Sequence, residues 1–329
     1  MSHSDTSLFL LPELHEIVAP DGRIVIPISL ASLDPTHPTV PDFMKNEILK
    51  FRHHQQFLID GIASGNLWFD GKLYRFRTKL SFESFCGFLF EAWVVRTINA
   101  DPQLKRRAVE WCANMKDVKI DFTDPYKAVG TGLEKTRIDH IQFYNRSHPL
   151  DVKFITERFD KNENEYFFDP LLINGRQSSA GIQIKAITTN IKTQIIEPIL
   201  SGKYSKVLTL LTTATGKHSY FECVDILKGM KIAKDGITDA QYIKALEAIC
   251  SPFHLGLDQY TIDDYYRHAQ NVYQASQDSY NFGVSGGESI MWDAAHMEVS
   301  GYHMKNSILV PDSLDGGRPV LNNQPLLRQ

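Results

Sequence analysis

Gly181-Ile-Gln-Ile-Lys-Ala-Ile187 alternates apolar and polar residues over its first five positions. In a strand, residues two apart share a face, so Ile182 and Ile184 pack into a core while Gln183 and Lys185 project together from the other side. Downstream, the pattern is helical from Ile191 to Leu200, and then strongly β-branched in Lys206-Val-Leu-Thr-Leu-Leu-Thr-Thr213. Two further strands are predicted upstream, in Leu150-Asp-Val-Lys-Phe-Ile-Thr156 and Arg137-Ile-Asp-His-Ile-Gln-Phe-Tyr144.

Before these strands come two helices. The clearer one runs from Ser81 to Asn99, where Phe82, Phe85, Phe88, Leu89, Ala92 and Trp93 recur at helical spacing. Glu83 and Glu91 on it lie within about 80° of each other around the axis. The second helix runs through Cys112.

The flanks read less sharply. Ile24-Val-Ile-Pro-Ile28 suggests an edge strand, and Thr39-Val-Pro-Asp42 a helix start, because Pro41 suits a first turn. That helix extends towards Ala63 and is interrupted or capped near Gly61. Asn66 to Phe76 reads as a hairpin about Asp70-Gly71, the favoured two-residue turn. Beyond the centre, a strand is expected around Tyr220-Phe-Glu-Cys-Val224, then helices begun by Thr238-x-x-Gln241 and Thr261-x-x-Asp264. The tail after Asn306 looks irregular. The resulting division is an N-terminal helical and hairpin region (1–80), a mixed α/β core (81–220) and a C-terminal helical region (221–329) for recognition or dimerisation.

Composition narrows the class. A chain of 329 residues with 43% hydrophobic content can bury a sizeable core. It shows no leader pattern and no bilayer-spanning apolar run, so neither export nor membrane insertion is expected. Cysteines 86, 112, 223 and 250 are widely spaced, which fits buried thiols in a reducing, cytoplasmic compartment. The net charge is −4, but from Ser219 onward there are 14 acidic and 8 basic residues, and the part before is slightly basic. Clusters at Lys72, Arg75, Arg77, Lys79 and at Lys105, Arg106, Arg107 are either solvated faces or phosphate contacts.

Other motifs fail on context. Gly283-Val-Ser-Gly-Gly287 fits a nucleophile elbow without a preceding buried strand. Thr215-Gly-Lys-His218 resembles a phosphate loop, yet Leu211 stands where glycine should be and His218 where Ser or Thr belongs. The pairs His53-His54 and His296/His303 lack metal-binding spacing. Tyr260, Tyr265, Tyr266, Tyr273 and Tyr280 gather near one helix, for core packing, base stacking or a subunit interface.

A helix with a glutamate, a strand with an aspartate, a strand with a polar residue two before a lysine, then helix and strand: this order resembles the PD-(D/E)xK nuclease superfamily over roughly 130 residues. Glu91 in Phe88-Leu-Phe-Glu-Ala-Trp93 matches the helix carboxylate, and Gln183-Ile-Lys185 replaces the acidic-x-Lys pair, as in Mrr-like and type I restriction branches. The glutamine departs from the commonest pattern. The resemblance implies a restriction-endonuclease-like mixed sheet flanked by helices, with helical additions at both ends. It further implies a DNA endonuclease of restriction or phage-defence type, dependent on Mg²⁺ (or Mn²⁺), acting on double-stranded DNA as a homodimer or beside a helicase or methylase. Asp151, Gln183, Lys185, Glu91 and Asp139 are the implied catalytic set, with Asp151, Gln183, Asp139 and Glu91 as metal ligands.

Asp151 is the favoured aspartate over Asp139. A rival alignment takes Asp139 first and Asp151-Val-Lys153 as the acidic-x-Lys pair, but helix and strand come after Lys185, not Lys153. The other functional readings are a non-catalytic interaction protein with a degenerate nuclease core, and an RNA-directed nuclease.

Overall fold

The computed structural model describes residues 53, 56–67, 80–161, 163–233 and 236–274, and the backbone alone of 17–18, 24–26, 68–69, 74–76, 275–281, 302–305 and 308–311. The chain divides into two compact units. One comprises Met1–Ile62, Asn66–Phe82 and Asp264–Gln329, the other Ala63–Gly65 and Glu83–Asp263.

The first unit opens with β1 (Ile17–Val18) and β2 (Ile24–Ile26), then a helix α1 over residues 56–63. β3 (Leu67–Phe69) and β4 (Tyr74–Phe76) form the expected hairpin. Their register pairs Phe69 with Tyr74, whereas a two-residue turn at Asp70-Gly71 would pair Phe69 with Lys72, so the connection between them is not that turn. The conformation of that connection, the helix start at Pro41 and the Gly283 motif lie outside the described residues.

The second unit begins with α2 (Phe82–Ala100), whose residues from Leu89 to Val94 are all buried, including Glu91. A helix apolar nearly all round must be enclosed by neighbours. Next comes α3 (Pro102–Ala113): Asp101 accepts from the Gln103 and Leu104 N–H groups, and Pro102 fits the first turn, where no donor is needed. It ends at Asn114 in a left-handed conformation. After the short α4 (Ile120–Thr123), β5 (Tyr126–Gly130) leads into a helix where the sequence suggested a strand.

That helix is α5 (Glu134–Asp139), followed by a 3-10 turn at Ile141–Phe143. Two intrahelical ion pairs favour it, Arg137 to Glu134 at 2.5 Å and Lys135 to Asp139 at 3.2 Å. The alternation that mimicked a strand leaves Ile138 and Ile141 in solvent, at 66% and 63% exposure. It therefore never marked a buried sheet face.

β6 (Val152–Asp160), β7 (Glu165–Pro170) and β8 (Gly181–Lys185) come next. Then come a π-helical turn at Lys192–Ile196 and α6 (Glu197–Leu200). Pro198 explains the wide turn: it has no N–H, and its ring would strike the carbonyl four residues back. β9 (Val207–Thr209) completes the stretch expected from sequence.

Where a strand was expected at Tyr220, α7 (Ser219–Ile232) forms instead. Its Tyr220, Cys223, Ile226, Leu227 and Met230 recur at helical spacing and pack with Ile195, Ile196, Val207 and Ile249. His218 starts it, Nδ1 accepting from the Tyr220 N–H at 3.1 Å. α8 (Asp239–Ala248) has the predicted capping box between Thr238 and Gln241. β10 (Ile249–Cys250) and α9 (Pro252–Leu255) precede the long α10 (Gln259–Asn281). Thr261 lies in the first turn of α10 and does not cap it. Asp258 does, accepting from the Tyr260 and Thr261 N–H groups.

The central sheet is mixed and six-stranded, ordered β10-β9-β8-β6-β5 with β7 also against β6. β5, β7 and β8 run antiparallel to β6, whereas β8-β9-β10 are parallel. A parallel centre is buried on both faces, and Gln183 is accordingly only 8% exposed. Helices flank this mixed sheet, which takes β10 from beyond residue 220.

In the first unit, β11 (Tyr302–Lys305) and β12 (Ile308–Pro311) join β1 and β2 in a four-stranded sheet with β2 at its edge, as the Ile24 run suggested. The tail just after Asn306 is thus a strand, not irregular. Tyr265 is fully buried and donates to Asp60 at 2.8 Å; Tyr266 and Tyr273 pack on Phe82. Tyr265 is a core residue and Tyr266 and Tyr273 are half-buried, while Tyr260 is exposed. Among the described residues, no helix is long and apolar enough to cross a membrane.

Candidate functional site

Glu91 is the charged residue inside the most apolar part of α2, 4% exposed. An isolated buried carboxylate is costly without partners. The Gly132 N–H donates to its Oε1 at 2.8 Å. Burial, with the charge of Asp151 next, pushes its pKa well above the usual carboxylate range; the Gly132 bond and Arg146 oppose this. Glu83, on the exposed first turn, does not take its place.

The loop after β5, Gly130-Thr-Gly132, fits around that carboxyl. A methyl group at Gly130 would come within 2.7 Å of Glu91 Oε1, and one at Gly132 within 2.9 Å of Oε2. Thr131 between them ties the surroundings together. Its N–H donates to the Asp151 carbonyl at 2.7 Å, its hydroxyl to the Leu150 carbonyl at 2.6 Å, and its own carbonyl accepts from Asn145 at 2.8 Å.

Asp151 sits where β6 and β8 part. The ladder pairs Val152 with Ile182, and the Asp151 N–H still donates to the Ile182 carbonyl at 2.9 Å. One step further the Asp151 carboxylate replaces a backbone acceptor: Oδ2 takes the Ile184 N–H at 2.7 Å and the Gln183 amide at 2.5 Å. Burial raises its pKa to about 6, against the pull of these two bonds and of the Lys185 ammonium. Lys185 is half-buried, its ammonium 3.4 Å from the Tyr204 hydroxyl and 4.8 Å from that ring centre. Glu91, Asp151, Gln183 and Lys185 therefore form one electrostatically connected group drawn from α2 and the ends of β6 and β8.

Asp139 is elsewhere in character. It ends α5, exposed and paired with Lys135, and its charge acts on His140. It lies on a helix and not on the expected strand. Lys153 remains on β6, half-buried, with burial lowering its pKa; β7, not a helix, comes after it. The basic trio on α3 is engaged internally: Lys105 with the Asp124 and Tyr126 carbonyls, Arg106 with Glu110, Arg107 with the Leu255 carbonyl. The Lys72 cluster is outside the described side chains. In the Thr215 loop, Lys217 pairs with Asp225 and the Ser219 N–H with the Leu211 carbonyl, which leaves no phosphate cradle there.

Three features escaped the sequence reading. Gly130 and Gly132 were legible only as two glycines flanking a threonine; their need to admit Glu91 depends on a contact 41 residues distant. Thr131 acts through backbone groups, which no side-chain pattern reports. Arg146, whose guanidinium lies 5.6 Å from the Phe88 ring centre, belongs to no charge cluster.

Chemically, the group offers hard oxygen donors in a setting short of positive charge. Two carboxylates with raised pKa values are what a divalent cation would relieve. Asp151, Glu91, the Ile184 carbonyl and the Gln183 amide oxygen suit Mg²⁺ or Mn²⁺ by type. Among the described residues, no three His, Cys, Asp or Glu side chains are grouped to hold a metal ion, so any ion here relies on neutral oxygens beside two carboxylates. Comparison with protein-family models, with curated proteins and with solved structures gives no match to this chain.

Proposed function

We propose that the chain is a Mg²⁺-dependent endonuclease that hydrolyses phosphodiester bonds in double-stranded DNA, of restriction or phage-defence type. The supporting observation is the meeting of Glu91, Asp151, Gln183 and Lys185, which are spread over 95 positions of sequence, beside a β5-β6-β8 core followed by helix and strand. That order, and that residue set apart from Asp139, are the ones the PD-(D/E)xK resemblance implies, in its Gln-x-Lys form.

In this reading Asp151 and Glu91 hold the cation, with the Gln183 amide turned so that its oxygen faces inward. The ion, when bound, would supply Lewis acidity towards the phosphoryl oxygen and the attacking water. Lys185 aligns the attacking water and steadies the charge growing on the phosphate, a preorganised group in a half-buried place. Gly132 and Thr131 fix the Glu91 and Asp151 segments, so little reorganisation is needed.

The test is incubation of purified protein with supercoiled plasmid and Mg²⁺, beside Lys185→Ala and an RNA substrate. Nicked or linear DNA, lost in the variant, supports the proposal; cleavage of RNA alone moves it to an RNA-directed nuclease. One observation favours a second reading, the degenerate core: the Gln183 amide nitrogen already satisfies the Asp151 carboxylate. In that case neither cleavage nor any Mg²⁺-dependent rise in melting temperature is expected.

A further inference from the structure

We infer that Arg146 is a phosphate-gripping residue of the same site, contacting the backbone of the nucleic-acid substrate. The inference rests on the nuclease reading and adds to it a substrate contact that the motif does not contain. Its basis is the position and freedom of the guanidinium.

Arg146 lies on a tight turn anchored beside the site. The Asn145 N–H donates to the Thr131 carbonyl at 2.8 Å, the Ser147 N–H to Asn145 Oδ1 at 2.9 Å, and the His148 N–H to the Asn145 carbonyl at 3.0 Å. Thr131 is also bonded to Asp151, so the turn is fixed relative to both carboxylates. The Arg146 side chain lies over Phe88, one helical turn before Glu91, and its charge lowers the Glu91 pKa. The guanidinium is thus stacked on the turn of α2 that carries Glu91, and its charge reaches that carboxylate.

Its donors are free. Among the described residues, Arg146 makes no hydrogen bond or ion pair, and it is exposed. Arg158, Arg137 and Arg106 are by contrast occupied, by Asp169, Glu134 and Glu110. A planar fork, pre-aligned on an aromatic face and with all its donors open next to a cation-seeking pair, matches a phosphodiester oxygen pair. A carboxylate substrate would meet the same fork, but it would not need the two anions behind it.

The experiment is equilibrium binding of the full chain to a short fluorescent DNA duplex over a salt series, with Ca²⁺ in place of Mg²⁺, for wild type, Arg146→Ala and Arg146→Lys. Losing one phosphate contact should weaken binding about tenfold and reduce the slope of log affinity against log salt by about one. Arg146→Lys should keep the slope and recover only part of the affinity, because an ammonium lacks the fork. It also preserves the charge beside Glu91, so it reports even where Arg146→Ala folds poorly. Binding and salt slope of Arg146→Ala equal to wild type, while the wild type binds and cuts, overturn this inference alone. A wild type that neither binds the duplex at low salt nor cuts it overturns the nuclease reading and this inference with it.

Discussion

The Gln183 side-chain amide donates to Asp151 Oδ2 at 2.5 Å and also lies 3.4 Å from the Ile184 carbonyl. The amide nitrogen, with its partial positive charge, therefore stands between two oxygens of the type that hold Mg²⁺. For Gln183 to serve as an oxygen ligand, its amide would have to turn over.

Gln183→Glu removes the donor and adds a third anion. Without divalent ions, the buried carboxylates should then repel, lowering stability by about 1–3 kcal/mol. With Mg²⁺, the melting temperature should rise more than in the wild type, since an anionic ligand replaces a neutral one. Thermal melts with and without Mg²⁺ check this; a variant indifferent to the ion would show that no cation sits there.

The Asp151 carboxyl sets a pH dependence whose sign is fixed. Its pKa is about 6 in the fold against an ordinary 3.8, so the folded chain holds the proton more tightly. The resulting stabilisation is complete below about pH 4 and is lost as pH rises through 6, in all on the order of 2–3 kcal/mol. The raised Glu91 extends the loss upward. Denaturant titrations of wild type and Asp151→Asn from pH 4 to pH 8 isolate the effect: the variant should gain on the wild type as pH rises. Parallel curves would mean that Asp151 is not protonated on folding.

Asp151→Asn should also abolish any Mg²⁺-dependent stabilisation and cleavage. Lys185→Ala should lower cleavage by orders of magnitude while leaving fold and DNA affinity nearly intact. If instead Lys185→Ala is active and Lys153→Ala or Asp139→Asn is inactive, the Asp151-Val-Lys153 alignment, which also needs Asp151, is the right one.

Gly132→Ala probes the seat of Glu91. The added methyl group would lie 2.9 Å from Oε2 and 3.2 Å from the Phe88 ring, and the Glu91 carboxyl is held through Oε1 by the Gly132 N–H. A loss of about 1–3 kcal/mol is expected in urea denaturation, as for overpacked cores. A neutral result would place slack around Glu91 that the geometry does not have.

Much of the core was legible because burial and periodicity agreed. α2 showed its aromatic spacing, and β8 its paired isoleucines; Thr238 and Gln241 declared a cap. The helices α5 and α7 were not legible, for different reasons. In α5 the ion pairs of Glu134 and Lys135 outweigh an alternation whose isoleucines are exposed. In α7 the short aromatic run Tyr220-Phe221 looked β-like, while the deciding contacts are made by Cys223 and Leu227 further on. At the site, side chains with their own chemistry could be named, but the backbone donors and the glycines that position them could not, because they act across long sequence separations.

At the far edge of the sheet, Asn99 of α2 accepts from the Ala128 N–H and donates to the Ala128 carbonyl, each at 2.8 Å. For one residue of β5 it imitates the next strand. A second molecule seeking to extend the sheet there would first have to displace this amide, which makes β5 a blunted border against edge-to-edge association and fibre growth. Self-assembly by sheet extension is therefore disfavoured at this border.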